Sequence, residues 1–341
     1  MGFIFSLLII SAIILFLINF VFALVNFIVW STEGINAIFQ GQNLTERIIY
    51  STYFKWIIIA DVTWLILTLI FVFSRKQYKT NSELYYLTHK PITEPKVCVI
   101  IPAFNEEPVI EKVVNDYINQ KNVEYVYVID NHSSDNTVKI AEACGASVIK
   151  KEKNMGYAHS CVMGLKKSLE TDANIIVLTE ADGTFAGDDL KKMIPYLENV
   201  DMVIGTREIQ VLSEKGNQNK MFYVWGNFLL AKLIQLKFFS LQHMGVVSLT
   251  DVGCAYRCIR KEALEKIMNQ FSNSETGELL VKPKSGLFAL FMTMLGIKND
   301  LRVVEIPITF KKRIGVSKTE SDKKIKAIRY GLEFFWFILR S

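Results

Sequence analysis

Two acidic residues one position apart, Glu180 and Asp182, follow closely on an apolar run at residues 175–178. Two carboxylates a few Å apart repel each other by about 1–4 kcal/mol unless a positive charge lies between them. A divalent cation would relieve this repulsion, so the spacing indicates a metal site. An ordinary turn is the alternative, because Asp and Gly after a strand are common turn residues. The ends of the other predicted strands help to decide between the two interpretations.

Polar residues also end the neighbouring strands. From residue 96 apolar segments alternate with amphipathic ones, which predicts an α/β fold with a mostly parallel sheet covered on both faces. Strands are predicted at residues 96–101, 123–129, 147–149, 175–179 and 202–205. The first is followed by PAFNEE and the second by DNHSSD. Ligands bind outside the carboxyl ends of strands in such sheets, so three successive acidic strand ends favour a ligand site over simple turns.

Missing motifs exclude several other classes of site. A Rossmann dehydrogenase needs G-x-G-x-x-G directly after its first strand, where this chain has PAFNEE, and no P-loop ending in G-K-[ST] occurs. The five cysteines lack C-x-x-C spacing and the four histidines lack zinc-ligand spacing. We therefore expect free thiols and no zinc site, and we expect side-chain acids and a metal to hold any nucleotide.

The N-terminal part of the chain predicts a membrane anchor. Residues 3–30 carry no charge, and about 20 apolar residues are enough to cross a bilayer core. A cleaved signal peptide is the alternative, but the run lacks a basic start and is too long for a signal-peptide core. A second apolar run at residues 56–73 contains Asp61 and is followed by a basic cluster. We expect a two-helix transmembrane hairpin at residues 1–76, with the rest of the chain in the cytosol.

Five motifs downstream of the anchor resemble, in order and approximate spacing, the nucleotide-sugar-binding half of the family 2 glycosyltransferases, which have the GT-A fold. They are VCVIIPAFNEE, VIDNHSSDNT, NMGYAHSCVMGL, TEADGTF and VIGTR. Two later motifs, TDVGCAYR and EIPITFKKRIGVSK, resemble the acceptor half of the polyprenyl-phosphate branch, which includes dolichol-phosphate mannosyl- and glucosyltransferases. The resemblance extends over residues 95–320. It implies a GT-A domain, Rossmann-like with a mostly parallel sheet, that binds a nucleotide sugar.

The resemblance also implies a role for each residue that matches a motif. Glu180 and Asp182 would hold Mg²⁺ or Mn²⁺ against the diphosphate of the nucleotide sugar, where the cation offsets charge on the leaving nucleotide. The nucleotide pocket would be formed by Pro102, Glu106, Asp130, Asn154 and Gly156. Asp130 would accept hydrogen bonds from N–H groups of the base.

Charged residues in the acceptor half are candidates for binding and activating the acceptor. Arg257, which ends a strand-like CAYR, and Lys318, in a flexible GVSK segment, are expected to bind phosphate on the donor or the lipid. Ordinary surface basicity is the alternative for both. Arg207 closes the VIGTR strand and is expected to reach the same crevice. Asp251 is the candidate base if the acceptor is a hydroxyl, whereas a phosphate is already an anion and needs only positioning and charge neutralisation.

The remaining segments predict the domain organisation and further membrane contact. We expect the nucleotide-sugar-binding half at residues 95–207, the acceptor half at 208–318 and an amphipathic membrane-associated helix at 319–341, where basic residues precede an apolar tail. Residues 221–239 predict either an interfacial helix or a buried core helix. Residues 208–220 predict either a lid or a flexible loop.

Together these patterns predict a membrane-bound, metal-dependent glycosyltransferase with a nucleotide-diphosphate sugar as donor and a lipid, polyprenyl phosphate first, as acceptor. The resembled family implies inversion at the anomeric carbon. A hydroxyl lipid or glycan acceptor is the first alternative. The second is a non-catalytic nucleotide-sugar-binding membrane scaffold, suggested by Glu180 at the first acidic position and by Tyr157 where relatives often carry a basic residue. The expected partners are the donor, the lipid acceptor and membrane lipids. No binding of nucleic acid is expected.

Overall fold

The protein forms two compact units in a computed structural model. The described residues are 2–41, 52–74, 89–214, 221–238, 247–282, 286–314 and 324–341. One unit contains Met1–Gln77 and Trp336–Ser341, and the other contains Tyr78–Phe335. Lys318 and the last six residues of the expected lid, 215–220, lie outside the described residues.

The N-terminal unit contains two long helices, α1 (Gly2–Gln40) and α2 (Thr52–Ser74). Within α1, Ile10–Val29 is long and apolar enough to cross a membrane, and it is the one such stretch in the described part of the chain. A first spanning helix is therefore supported, and a second crossing by α2 stays a prediction. The two helices lie side by side, and Asn19 Nδ2 donates a hydrogen bond to the Asp61 carboxylate.

The larger unit is built, over its described residues, on a seven-stranded sheet in the order β3-β2-β1-β4-β6-β5-β7. The strands are β1 (Val97–Ala103), β2 (Val123–Asp130), β3 (Ser147–Lys150), β4 (Ile175–Leu178), β5 (Met202–Thr206), β6 (Arg257–Arg260) and β7 (Val303–Pro307). Neighbouring strands are parallel except for β6, which is antiparallel to β4 and β5. All five predicted strands are present, with ends shifted by at most two residues, so the α/β prediction with a mostly parallel sheet is confirmed.

Helices cover the sheet and build the rest of the larger unit. They are α3 (Ile110–Ile118), α4 (Thr137–Ala143), α5 (Tyr157–Leu169), α6 (Leu190–Tyr196), α7 (Met221–Lys237), α8 (Lys261–Met268), α9 (Phe288–Lys298) and α10 (Lys324–Arg340), the last of which runs on past Phe335. Every residue of β1 and β4 is buried, as their apolar sequences require. Helix α5 approaches β1 so closely that a Cβ at Gly164 would lie 2.2 Å from Ile100 Cγ2. This glycine therefore fixes the position of α5, whose first turn reaches the site.

Two expectations about local structure are settled by the fold. All five cysteines are free, as predicted from their spacing. The expectation that Arg257 ends a strand is wrong, because Arg257 is the first residue of β6. The reason is the pairing of β6 with β4, in which Cys258 lies opposite Val177 and Arg257 opposite Leu178. The preceding CAY segment is therefore the entry to the strand.

Candidate functional site

A cavity of about 880 Å³ opens at the carboxyl ends of β1 and β4. Its polar wall includes most of the residues selected from the sequence, namely Pro102, Glu106, Asn154, Gly156, Glu180, Asp182 and Arg207. Asp130, Asp251 and Arg257 do not line it. The fold therefore brings the expected metal pair and most of the expected nucleotide pocket to one place.

The loop after β4 holds Asp182 in a fixed orientation. Its Oδ1 accepts hydrogen bonds from Thr184 N at 3.1 Å and Thr184 Oγ1 at 2.6 Å. The turn requires Gly183, whose φ of 73° lies in the left-handed region. Desolvation in the crevice and the neighbouring Asp182 carboxylate raise the pKa of Glu180 to about 7. The two acids therefore repel each other, and a cation bound between them would stabilise both as carboxylates.

The donor set fits a divalent cation that is shared with a substrate. The described residues contain no group of three His, Cys, Asp or Glu side chains that forms a complete metal site. Mg²⁺ is usually held by one or two carboxylates together with substrate phosphates, so a complete protein cage is not required. Glu180 and Asp182 supply the two carboxylates, and Glu106 lies on the same wall.

Arg313 reaches these carboxylates and was not selected from the sequence. Its Nη1 lies 3.3 Å from Asp182 Oδ2 and its Nη2 lies 3.7 Å from Glu106 Oε1. Arg313 also lines the cavity. The sequence does contain a sign of this residue, because the acceptor motif EIPITFKKRIGVSK has a basic cluster at residues 311–313. Only Lys318 was selected from that motif.

A second arginine, Arg207, is held rigidly at the cavity wall by Asp251. The guanidinium donates from Nε to Asp251 Oδ2 at 2.6 Å and from Nη2 to Asp251 Oδ1 at 2.7 Å. Asp251 is only 2 % exposed, and Glu305 accepts a hydrogen bond from its backbone N at 2.8 Å. Although burial opposes it, the Arg207 guanidinium holds the pKa of Asp251 below its ordinary value. Asp251 thus acts as the anchor of Arg207 in this geometry, with both of its oxygens occupied.

Arg257 lies in the core at the start of β6. It is 1 % exposed, and it donates from Nη2 to Cys254 O at 2.7 Å and from Nη1 to Thr293 Oγ1 at 3.1 Å. Burial lowers the pKa of Arg257. The structure therefore places this arginine behind the cavity wall, and contact with a phosphate stays a prediction for it.

The end of the crevice near β2 and β3 is organised by Asn131. Its Nδ2 donates to Asn154 Oδ1 at 2.9 Å, and its Oδ1 accepts from Lys151 Nζ at 3.2 Å. Lys151 also donates to Ser160 Oγ at 2.7 Å, and burial lowers its pKa to about 8. Asp130 is 3 % exposed and accepts from the backbone of the next turn. Asn131 lies within the VIDNHSSDNT motif, from which only Asp130 was selected, and Lys151 belongs to none of the motifs, although both residues come just after predicted strands.

Another part of the cavity wall is mostly apolar and comes from α7 and α10. It includes Tyr223, Leu229, Leu230, Ile328, Leu332 and Phe335. Leu229 is 62 % exposed and Leu332 is 55 % exposed, so this wall continues onto the surface. The cavity therefore joins a charged crevice to an exposed apolar surface.

Helix α7 has one buried face and one exposed apolar face, and its position at a membrane interface stays a prediction. Ala231, Ile234 and Phe238 are buried, whereas Trp225 and Leu229 are more than half exposed. One face thus packs in the core and the other presents large apolar side chains, an arrangement typical of helices that lie at a membrane interface.

Comparison with known proteins gives the family. The model of glycosyl transferase family 2 matches residues 98–268, half of the chain. The chain is 31 % identical over 234 residues to a UDP-N-acetylglucosamine–dolichyl-phosphate N-acetylglucosaminyltransferase of Methanococcus voltae, covering 62 % of this chain and 84 % of that protein. It is 24 % identical over 258 residues to an undecaprenyl-phosphate mannosyltransferase of Micrococcus luteus, covering 72 % of this chain and 98 % of the relative.

Solved structures agree on the fold. The glucosyl-3-phosphoglycerate synthase of Mycobacterium tuberculosis, solved with Mn²⁺, UDP-glucose and phosphoglyceric acid, superposes with a TM-score of 0.50 and 15 % identity. The match covers 72 % of this chain and 80 % of that protein. The GT-A fold expected from the motifs is thereby supported. The chain belongs to glycosyl transferase family 2, and it is a glycosyltransferase.

Proposed function

We propose that the protein is a membrane-bound enzyme that transfers a sugar from a nucleotide-diphosphate sugar to polyprenyl phosphate. One observation carries this proposal: a single cavity joins the acidic and basic crevice to the exposed apolar wall of α7 and α10. A water-soluble acceptor would not need such a wall, whereas a lipid phosphate needs charge at one end and apolar surface at the other. Relatives named for transfer to dolichyl and undecaprenyl phosphate support the same choice.

The donor is expected to occupy the polar side of the cavity. Glu106, Asn154 and Gly156 line the part nearest β1 and α5, where the nucleotide would lie. The Asp130 carboxylate would accept hydrogen bonds from N–H groups of the base. A divalent cation, Mg²⁺ or Mn²⁺, would be held by Asp182 and Glu180 and would offset the charge on the departing diphosphate.

The acceptor phosphate is expected to lie between the two arginines of the cavity. Arg207 and Arg313 supply positive charge on the wall that also carries the acids. An oxygen of the lipid phosphate attacks the anomeric carbon, forming the new C–O bond while the bond to the donor diphosphate breaks. The nucleoside diphosphate leaves with the electron pair, and attack opposite to it inverts the anomeric configuration. A phosphate is ionised at neutral pH, so no general base is required.

A hydroxyl acceptor is the weaker alternative. It would need a base, and the candidate from the sequence, Asp251, has both oxygens engaged by Arg207 and a lowered pKa. A non-catalytic scaffold is weaker still, because the acids, the arginines and the turn that orients Asp182 are all present in the cavity wall.

For the location of the enzyme we propose that α1 and α2 both cross the membrane as a hairpin, with the catalytic domain in the cytosol. The apolar stretch Ile10–Val29 supports the first crossing. The basic residues that come directly after α2 in the sequence support a cytosolic position for the catalytic domain. The exposed faces of α7 and α10 would then contact the cytosolic leaflet of this membrane.

The proposal is tested by release of nucleoside diphosphate from a panel of UDP- and GDP-sugars. The full-length protein in detergent is incubated with Mg²⁺ or Mn²⁺, with and without a short polyprenyl phosphate. We expect release with one donor, and only when both the metal and the lipid phosphate are present. Release that is equally fast with a polyprenol would contradict the phosphate acceptor, and nucleotide binding without release from any donor would favour the scaffold.

A further inference from the structure

The carboxylates of the crevice already have a cationic partner in the protein. Asp182 is 5 % exposed and Glu106 is 7 % exposed. Burying an ionised carboxylate to this extent is unfavourable unless a positive charge or hydrogen bonds compensate for the lost water. Arg313 lies between them, 3.3 Å from Asp182 and 3.7 Å from Glu106. Its Nε is buried and has no hydrogen-bond partner among the described residues.

We propose that the Arg313 guanidinium stands in for the divalent cation, so that Arg313 and the metal compete for the same carboxylates. This inference rests on the metal site of the proposed function and adds how the enzyme stabilises that site when no metal is bound. Metal binding would then be an exchange, in which the arginine side chain leaves Asp182 as the metal arrives.

The two arginines of the cavity differ in a way that supports exchange at Arg313 alone. Arg207 makes two short bonds of 2.6 and 2.7 Å to Asp251, which are typical of a firmly paired arginine. The contacts of Arg313 are longer than the roughly 2.7–2.9 Å of a charge-assisted hydrogen bond. Arg207 is therefore locked in place, whereas Arg313 is held mainly by electrostatic attraction and is the replaceable one.

A metal ion and the guanidinium would repel each other strongly if both were bound to Asp182. Mg²⁺ binds carboxylate oxygen at about 2.0–2.1 Å, and it would lie within a few Å of a guanidinium that is itself 3.3 Å from the same Oδ2. Two cations at that separation repel each other strongly in a partly buried crevice. The other oxygen of Asp182 is engaged by Thr184, so it offers no second position for the arginine.

The segment that carries Arg313 is fastened to the acidic loop by its backbone. Lys311 N donates to Thr184 O at 2.8 Å, and Ile314 N donates to Asp182 O at 3.3 Å. The exchange therefore requires only a rotation of the Arg313 side chain, while the segment stays in place. The displaced guanidinium remains beside the cavity.

Binding of Mn²⁺ alone tests the inference, because it requires neither donor nor acceptor. Full-length protein is stripped with EDTA and dialysed, and free Mn²⁺ is then followed by electron paramagnetic resonance during titration. The variants are Arg313→Gln, Arg313→Lys and, as the matched control, Lys312→Gln, which removes a charge from an exposed neighbouring side chain. Thermal unfolding of each variant verifies that it is folded.

We expect Arg313→Gln to bind Mn²⁺ about tenfold more tightly than the unchanged protein, because one like charge is removed from the immediate surroundings of the site. Lys312→Gln is expected to stay within about twofold, since its charge is exposed and screened. Arg313→Lys, which keeps a charge, is expected to bind more weakly than Arg313→Gln.

Three results would overturn the exchange: equal or weaker Mn²⁺ binding by Arg313→Gln, an equal gain in Lys312→Gln, or no binding of Mn²⁺ by any variant. None of them depends on sugar transfer. Conversely, an enzyme that proves to use another acceptor would contradict the proposed function and leave the Mn²⁺ result intact.

Discussion

Replacing Asp251 by Asn should weaken both the fold and catalysis, because this buried carboxylate holds Arg207 at the cavity wall. Removing one partner of a buried ion pair costs about 3–5 kcal/mol. Asp251 is fully shielded, whereas the Arg207 side chain is 19 % exposed, and Asn retains part of the hydrogen bonding. We therefore expect the free energy of unfolding to fall by about 2–3 kcal/mol, which corresponds to a decrease in Tm of about 5–10 °C.

The expected effect on catalysis follows from the loss of orientation. Without two short bonds to Asp251, the Arg207 guanidinium is free to rotate away from a bound phosphate, and kcat should fall by about ten- to a hundredfold. Thermal unfolding and transfer to polyprenyl phosphate are measured on the same preparation. The double variant Arg207→Gln/Asp251→Asn should be less destabilised than the sum of the single variants, because the two residues act as a pair.

A matched control comes from another ion pair of the sheet. Asp201 pairs with Arg302 at 3.2 Å, and both side chains are 17 % exposed and lie outside the cavity lining. Asp201→Asn should lower Tm and leave kcat unchanged. An Asp251→Asn variant that loses kcat with no loss of Tm would refute the anchoring role and favour Asp251 as a general base.

Three further outcomes are expected. Asp182→Asn should lower transfer at least about a hundredfold while unfolding stays cooperative, and full activity in the presence of EDTA would contradict a metal at this residue. Burial and, to a smaller extent, the Asp251 carboxylate raise the pKa of Glu208 from its ordinary 4.5 to about 7. The contribution of protonated Glu208 to the free energy of unfolding is therefore complete below pH 4.5 and is lost as the pH rises through 7. Glu208 is partly exposed, so solvent screening reduces the effect, and Glu208→Gln should lose about 1–2 kcal/mol less stability than the unchanged protein between pH 5 and 8 in urea unfolding. An identical pH dependence would refute this. Leu230→Trp, on the apolar wall, should raise the KM for polyprenyl phosphate about tenfold and leave the donor KM unchanged, whereas equal changes in both would argue against a lipid site there.

The features of the fold that could be predicted are those that depend on local sequence. The apolar runs that form β1 and β4 are buried along their whole length, so composition alone identifies them as strands of a covered sheet. The acids at residues 180 and 182 could be placed at a strand end for the same reason. The strand-like CAYR segment predicts a strand that ends at Arg257, whereas β6 begins there, because its position between β4 and β5 depends on pairing between distant segments.

The partners of the charged residues could not be predicted, since they come from distant parts of the chain. Arg313 meets Asp182 only because the segment before it pairs with the loop after β4. The motif placed Asp251 near the acceptor side, but its engagement by Arg207 depends on how β5 lies beside the loop before β6. The partner of Lys151 could not be predicted either, because its hydrogen bond to Asn131 joins the ends of two adjacent strands, β2 and β3.

The lipid product provides the most direct test of the central claim. Full-length enzyme is supplied with the donor that it accepts, a divalent cation and an equimolar mixture of polyprenyl phosphate and the corresponding polyprenol, and the lipids are analysed by mass spectrometry. We predict that polyprenyl phosphate gains the mass of one sugar residue while the polyprenol is unchanged. Sugar on the polyprenol, or nucleoside diphosphate released with no glycosylated lipid, would contradict the account.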